Sequence, residues 1–295
     1  MKRKIIFLGT SSFACPSIEI LHNNHNLLAV VASSQPSPVK GLAYKLGIKV
    51  FDPATPNTPE FITILKDMNP EFFCLAAYGH ILSGDFLKTP KFASINLHPS
   101  LLPKYRGAAP LQWAILNGDK NSGITTFIMD EKIDHGKILL QEKMEIGEEE
   151  TFGELETRTS KIGAELFLKT IDNFDNLTPV PQNMENLTKA PKITKEMRKI
   201  DWNKPAKEIF NLIRALSPTP LTYTTLRNKE LEIIRAGYSE LSGKPGEVLQ
   251  NKGKIIIGTA KNGIELKILK PQAKKEQTAL DFINGYRPQI GEVLG

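Results

Sequence analysis

Two side chains that can do chemistry lie two residues apart in the segment Ser94–Gln112. Asn96 and His98 belong to a short apolar run that predicts a β-strand over Ile95–His98. Because side chains two apart in a strand point to the same face, the carboxamide and the imidazole are expected to face one cleft. Together they offer a hydrogen-bond donor for a developing oxyanion and a group that takes up and releases a proton.

A carboxylate that can complete this pair is Asp134, in a charged, glycine-containing loop after another predicted strand. An aspartate beside an imidazole orients the ring and stabilises its protonated form. The sequence has no Gly-x-Ser-x-Gly elbow, and Cys15 and Cys74 have no base nearby in sequence, so a covalent acyl-enzyme is not indicated. The set favours direct attack of an external amine on a carbonyl. The residues alone also allow structural roles, with Asn96 and Asp134 serving turns and His98 simply hydrogen-bonded.

Alternating apolar runs and helical patterns must position these residues. The predicted strands are Lys4–Leu8, Leu27–Ala32, Phe72–Ala77, Ile95–His98, Gly123–Met129 and Ile138–Ile146. The predicted helices are Pro16–Asn23, Val39–Gly47, Pro59–Met68, Ala108–Asn117 and Thr151–Asn173. This alternation predicts an α/β, Rossmann-like domain with a mostly parallel sheet, which binds ligands beyond the carboxyl ends of its strands. The first turn, Gly9–Phe13, lacks the spaced glycines of a dinucleotide fingerprint, so no nicotinamide cofactor is expected.

Five short β-like runs, separated by turn residues, predict a small OB-like β-barrel near the carboxyl terminus. These runs are Leu221–Leu226, Leu231–Ala236, Gly246–Leu249, Lys254–Thr259 and Gly263–Leu269. Before them lies a proline-containing segment of low apolar content. We therefore predict a catalytic domain over residues 1–188, a basic linker over 189–207 and a barrel domain over 208–295.

Charge is distributed unevenly along the chain. Residues 1–188 hold 18 Lys and Arg against 21 Asp and Glu, a net charge of −3. Residues 189–295 hold 20 against 11, a net charge of +9. A basic carboxyl-terminal region favours a polyanionic partner such as nucleic acid, although lysines that only solvate a surface would give the same count.

Cysteine content and hydropathy restrict the class of protein. With two cysteines and no ligand-like spacing, neither a disulfide framework nor a metal site is expected, and a cytoplasmic location is the simpler interpretation. No apolar run reaches the ~18 residues of a transmembrane helix, so no membrane partner is expected.

Two of these motifs resemble a known family. The segment Ile95–Pro110 resembles the active-site segment of the 10-formyltetrahydrofolate-dependent formyltransferases. Ile133–Gly136 matches their second motif, in which Asp is followed two residues later by Gly. Four further segments are similar to the members that act on methionyl initiator tRNA: Arg106–Gln112, Ala190–Ile193, Ile200–Trp202 and Gly291–Leu294.

The resemblance implies transfer of a formyl group from 10-formyltetrahydrofolate to the α-amino group of methionyl initiator tRNA. Asn96, His98 and Asp134 match the family's catalytic residues, with Asn96 and His98 on the oxyanion and His98 with Asp134 on the proton. The residues that match its folate contacts are Ser100, Leu101, Leu102 and Pro103, and Tyr78, Gly79, His80, Ile81 and Leu82. No metal is implied.

The carboxyl-terminal region is similar to a domain that helps hold tRNA. Basic residues expected to contact RNA phosphates are Lys104 and Arg106 at the cleft edge and Lys192, Lys195, Arg198 and Lys199 in the basic segment. We expect a monomer. Two alternatives stay open: a folate-dependent formyltransferase or hydrolase with another acceptor, and an RNA-binding protein without catalysis. The family's long, basic loop after the second strand is short here, at Ser33–Val39, and has no arginine.

Overall fold

The computed structural model describes residues 2–32 and 37–295. Contacts between residues divide the chain into two compact units. The first comprises Met1–Pro110, Ser122–Glu145 and Glu156–Pro191, and the second comprises Leu111–Asn121, Ile146–Leu155 and Lys192–Gly295.

A seven-stranded sheet forms the centre of the first unit. Its strands are β1 (Lys4–Gly9), β2 (Asn26–Val31), β3 (Val50–Phe51), β4 (Phe72–Ala76), β5 (Ala93–His98), β6 (Asn121–Ile128) and β7 (Ile138–Glu145). They lie in the order β3-β2-β1-β4-β5-β6-β7, with β1 to β5 parallel and β6 antiparallel to β5. The apolar runs are buried on both faces, as a parallel sheet requires. The predicted Rossmann-like, mostly parallel sheet is confirmed.

Helices alternate with these strands. They are α1 (Cys15–Asn24), α2 (Pro38–Lys45), α3 (Pro59–Asp67), α4 (Gly84–Leu87), α5 (Pro110–Leu116) and α6 (Phe152–Asp172). Capping hydrogen bonds define where some of these helices begin. At α3, the Thr58 hydroxyl accepts the Phe61 N–H. Thr151 and Glu154 form a capping box at α6. The short strand β3 and helix α4 were not predicted, because each is too short to show a period.

The second unit contains a six-stranded antiparallel sheet. Its strands are β8 (Thr222–Leu226), β9 (Lys229–Ser239), β10 (Val248–Gln250), β11 (Ile255–Gly258), β12 (Gly263–Pro271) and β13 (Gln277–Thr278), with helices α7 (Ala206–Ala215) and α8 (Ala279–Tyr286). Register shifts between β9 and β12 bend the sheet over a core that includes Ile209, Ile233 and Phe282. The prediction of a small barrel-like β domain is confirmed, but β13 and α8 were missed, since the sequence before them is polar and lysine-rich.

The segment predicted to be a basic linker contains buried residues. Ala190 is buried in the first unit, and Ile200 and Trp202 are buried in the core of the second. The division between the units falls inside this segment, at Pro191 and Lys192. The limits 1–188, 189–207 and 208–295 stay a prediction.

Part of the short loop at Ser33–Val39 lies outside the described residues, which omit 33–36. In the described remainder of this loop, Ser37 caps α2 by accepting the Lys40 N–H, and Val39 is buried in the first turn of α2. Among the helices of residues 2–32 and 37–295, none is both long and apolar enough to cross a membrane.

Candidate active site

Strand β5 delivers Asn96 and His98 to one edge of the sheet. Ile95 and Leu97 alternate with them and are buried on the other face, so the predicted pairing of the two polar side chains follows from the pleat. Since β4 runs parallel to β5, the loop after Ala76 lies at the same edge. The strand ends therefore bring together groups that are about 20 residues apart in sequence.

The imidazole of His98 has a polar neighbour at each nitrogen. Its Nε2 lies 2.9 Å from the Tyr105 carbonyl oxygen, which can only accept, so Nε2 carries the hydrogen in the neutral ring. Nδ1 then has the free lone pair, and it lies 3.6 Å from Asp134 Oδ1. Side-chain exposures are 4% for His98 and 12% for Asp134. A proton taken up at Nδ1 would therefore be stabilised by a carboxylate largely screened from water.

Asp134 is fixed by the backbone of another loop. Its Oδ2 accepts the Gly107 N–H at 2.9 Å, which leaves Oδ1 turned toward His98. Asp134 has φ = 48°, a left-handed conformation that costs free energy for a residue other than glycine. The neighbouring His135 makes a 2.6 Å contact with Asp130 and does not join the pair. The carboxylate that faces the imidazole is thus the one the sequence indicated.

The side chain of Asn96 differs from those of His98 and Asp134 in its hydrogen bonding. The residue is half-buried, and its side chain makes no hydrogen bond to any residue in 2–32 or 37–295. Two N–H donors are consequently free at the strand end beside His98. This is the arrangement required of a donor that forms its hydrogen bond only when negative charge develops on a bound molecule.

The loop Ser100–Pro103 is rigidly held from β6 and β7. Thr125 donates its hydroxyl to the Ser100 carbonyl and accepts the Leu102 N–H, while Gln141 donates to the Leu102 carbonyl. The Ser100 hydroxyl donates to the Lys104 carbonyl at 2.6 Å. Ser100 and Leu102 are buried, so the more accessible side chains of the loop are those of Leu101 and Pro103.

The segment Tyr78–Leu82 follows β4 at the same sheet edge. The Asn57 side chain accepts the Ser83 N–H and donates to the Ile81 carbonyl, both at 2.9 Å. The Tyr78 hydroxyl is buried and has no hydrogen-bond partner among the described residues, and burial raises the pKa of Tyr78 to about 12. Ile81 is 75% exposed, whereas Leu82 is buried. An unpaired neutral donor beside an exposed apolar side chain suits a polar aromatic ligand.

The six basic residues predicted to contact RNA differ in availability. Lys104 in the first unit and Lys192, Lys195 and Lys199 in the second are exposed. Arg198 donates to the Leu221 carbonyl at 2.8 Å and pairs with Glu232 at 3.2 Å. Arg106 is held by Gln182, and burial lowers the pKa of its guanidinium. The two arginines are thus already committed within their own units.

Sequence reasoning missed three residues of the site. Thr125 and Gln141 lie in β6 and β7 and hold the loop after β5, and Gln182 contacts both Arg106 and the Asp134 loop. They gave no signal because each bonds to backbone or side chains 16 to 76 residues away. No group of three or more His, Cys, Asp or Glu that could hold a metal ion occurs in the described part of the chain.

Two family models match the chain in succession. The formyl transferase model covers residues 3–171, and the model of the formyl transferase C-terminal domain covers residues 192–287. Among curated proteins, a methionyl-tRNA formyltransferase from Thermodesulfovibrio yellowstonii is 39% identical, over 99% of this chain and 98% of its own. One from Listeria monocytogenes is 37% identical, over 96% of this chain and 95% of its own.

Solved structures share the fold. An N-formyltransferase from Helicobacter canadensis, in complex with folinic acid and dTDP-3-aminofucose, has a TM-score of 0.71 and 23% identity, over 92% of this chain and 100% of its own. HypX from Aquifex aeolicus, in complex with tetrahydrofolic acid, has a TM-score of 0.71 and 18% identity, over 99% of this chain and 49% of its own. The similarity to both extends along nearly the whole chain.

Proposed function

The chain belongs to the family of methionyl-tRNA formyltransferases, and we propose that it transfers a formyl group from 10-formyltetrahydrofolate to the α-amino group of methionyl initiator tRNA. The observation that carries this proposal is the group at the end of β5: a free Asn96 carboxamide beside the buried His98 and the largely buried Asp134. Direct acyl transfer between amines requires a hydrogen-bond donor to the oxyanion and a proton acceptor, and it needs no nucleophile from the protein.

In the proposed reaction, the substrate amine attacks the formyl carbon, and a C–N bond forms as the carbonyl electrons move to oxygen. The Asn96 carboxamide donates to this oxyanion. The proton lost by the amine goes to His98 Nδ1, since Nε2 already bears a hydrogen that is donated to the Tyr105 carbonyl. Asp134 Oδ1 stabilises the imidazolium. When the oxyanion collapses, the bond from carbon to N10 of the folate breaks and N10 takes the proton from His98.

We assign folate binding to the two loops at this sheet edge. The Tyr78 hydroxyl is a hydrogen-bond donor with no acceptor among the described residues. Leu101, Pro103 and Ile81 provide apolar surface. Ser100 and Leu102 hold the loop in place, because the Ser100 hydroxyl donates to the Lys104 carbonyl and the Leu102 N–H donates to the Thr125 hydroxyl. The folate supplies the formyl group, and the chain's task is to orient it and to exclude water from the reacting carbon.

For the tRNA we assign contacts to the exposed lysines rather than to the two arginines. Lys104 lies in the loop beside the catalytic group, and Lys192, Lys195 and Lys199 lie in the basic segment of the second unit. Such contacts act on phosphates, fix the position of the RNA and make its affinity dependent on salt.

We further propose a catalytic domain at 1–188, a linker at 189–207, a barrel domain at 208–295, a monomeric state and a cytoplasmic location.

The test is an assay with purified protein, 10-formyltetrahydrofolate and aminoacylated initiator tRNA. Formyl-methionyl-tRNA should accumulate, and no product should form when the folate is omitted. Parallel reactions with an amino sugar nucleotide, or with no acceptor, measure transfer to a sugar and hydrolysis. If formate or a formylated sugar were the main product, the acceptor assigned here would be wrong. If tRNA bound and nothing was formylated, the protein would be an RNA-binding protein without catalysis.

A further inference from the structure

Gln182 lies on a segment that returns to the active site after α6. Ahead of it, Val180 and Ile138 exchange two backbone hydrogen bonds of 2.8 Å each. Beyond it, Arg106 donates its N–H to the Thr188 carbonyl and accepts the Ala190 N–H, at 3.0 and 2.7 Å. The segment is therefore attached to β7 on one side of Gln182 and to the loop after β5 on the other.

All the hydrogen-bonding groups of the Gln182 carboxamide are used. Nε2 donates to the carbonyl oxygens of Asp134 and Gly136, at 3.0 and 2.8 Å. Oε1 accepts from Nε and Nη2 of Arg106, at 3.1 and 2.6 Å. Since the carbonyls only accept and the guanidinium only donates, a carboxamide is required here, and that of asparagine would lie one methylene short of these partners.

These hydrogen bonds restrain both partners of the contact between Asp134 and the Gly107 N–H, which orients the Asp134 carboxylate. The carboxylate of Asp134 accepts the Gly107 N–H, and Arg106 immediately precedes Gly107. Gln182 grips the backbone of Asp134 on one side and the side chain of Arg106 on the other. Asp134 needs this support because its backbone is in the left-handed region, which persists only where the surroundings impose it. The Asp134 loop is also close against β6, since a Cβ on Gly136 would lie 1.7 Å from the Ile128 carbonyl oxygen.

We infer that Gln182 is a positioning residue for formyl transfer. It holds Asp134 at the distance and angle at which the Asp134 carboxylate stabilises the imidazolium of His98. This inference rests on the proposed function, because it presumes the catalytic role of the His98–Asp134 pair. In this role Gln182 acts only through Arg106 and the Asp134 loop, which take all its hydrogen bonds, and it needs no contact with substrate. Its removal should therefore slow the chemical step and leave the binding of both substrates almost unchanged.

Two substitutions separate the groups of the carboxamide. Gln182→Leu removes every hydrogen bond. Gln182→Glu keeps acceptors for Arg106 but turns carboxylate oxygens toward the Asp134 and Gly136 carbonyls, which repel them. We expect kcat to fall at least 10-fold in both variants, with each KM within about twofold of the unmodified protein. Asn186→Ala, at an exposed position four residues along the same segment, serves as the matched control and should keep full activity.

A double-mutant cycle with Asp134→Asn tests whether Gln182 acts through Asp134. If it does, Gln182→Leu should reduce kcat by less than threefold in the Asp134→Asn background. The same 10-fold loss in both backgrounds would overturn the inference, as would a kcat within twofold of normal in Gln182→Leu. A loss that only matches the unfolded fraction, measured by circular dichroism, would equally overturn it. Normal activity of Asp134→Asn alone would instead refute the proposed mechanism.

Discussion

Replacing Asn96 by alanine should separate catalysis from stability more cleanly than any other substitution at this site. The carboxamide has no hydrogen-bond partner among residues 2–32 and 37–295, so its removal leaves no orphaned group in the protein. The expected cost to the free energy of unfolding is within about 0.5 kcal/mol, as for a substitution that breaks no contact. The effect on the reaction should be far larger, because the donor acts only when the oxyanion forms.

Removal of one such donor costs roughly 2.7 to 4 kcal/mol of transition-state stabilisation. At about 1.36 kcal/mol for each tenfold change in rate, kcat of Asn96→Ala should fall by about 100-fold to 1000-fold. Single-turnover formylation of methionyl initiator tRNA, at saturating 10-formyltetrahydrofolate, measures this step directly. Asn96→Asp should be at least as impaired, since a carboxylate places an acceptor and a negative charge where a donor is needed.

The control is Asn23→Ala, the same substitution on the exposed part of α1. It should leave kcat unchanged. If Asn96→Ala kept kcat within threefold of the unmodified protein while its melting temperature stayed the same, Asn96 would have no part in stabilising the oxyanion. A fall in melting temperature of more than about 5 °C would show that the carboxamide supports the fold, contrary to the reasoning from its lack of partners.

His98→Ala should lower the single-turnover rate at least 100-fold, about 2.7 kcal/mol at the barrier, and a rate within tenfold of that of the unmodified protein would assign the proton transfer to another group. Replacing Lys192, Lys195 and Lys199 together by glutamine should weaken tRNA binding and reduce its salt slope by about 2 to 3, so an unchanged slope in filter-binding assays would remove this segment from the interface. Glu154 has its pKa lowered from 4.5 to about 2, chiefly by the Thr151 backbone N–H and also by Arg235, so its ionised form favours the folded state above the unfolded pKa. The stabilisation is lost as pH falls from about 4.5 through 2, and the difference in melting temperature between the unmodified protein and Glu154→Gln should shrink over that window; a constant difference would contradict the linkage.

The loops around the strand ends show what residue type alone leaves open. Ser100 is predicted to contact folate, and its hydroxyl donates to the Lys104 carbonyl. Arg106 and Arg198 are predicted to contact phosphates, and each has partners within its own unit, Gln182 for Arg106 and Glu232 with the Leu221 carbonyl for Arg198. Residue type shows what a side chain can bond to. Whether that capacity is already used depends on neighbours that are distant in the chain.

The basic segment and the last strands illustrate a second limit. Low apolar content predicted a basic linker over 189–207, and within this segment Ile200 and Trp202 supply two buried side chains to the core of the second unit. A few apolar residues suffice there because the strands they pack against bring most of the apolar surface. Strand β13 was not predicted, since a strand of two residues shows no periodicity in the sequence. It forms by pairing with β12.

Sequence alone determined the alternating strands and helices, the basic carboxyl-terminal region, and the placing of Asn96 and His98 on one face, because these follow from local periodicity and from the two-residue repeat of a strand. It also identified Asp134 as the partner of His98. Only the tertiary structure decided which nitrogen of His98 faces the carboxylate, which donors remain free, and that Gln182 supports the Asp134 loop. Those outcomes depend on hydrogen bonds between groups many residues apart, and such bonds exist only when the sheet has brought its strand ends together.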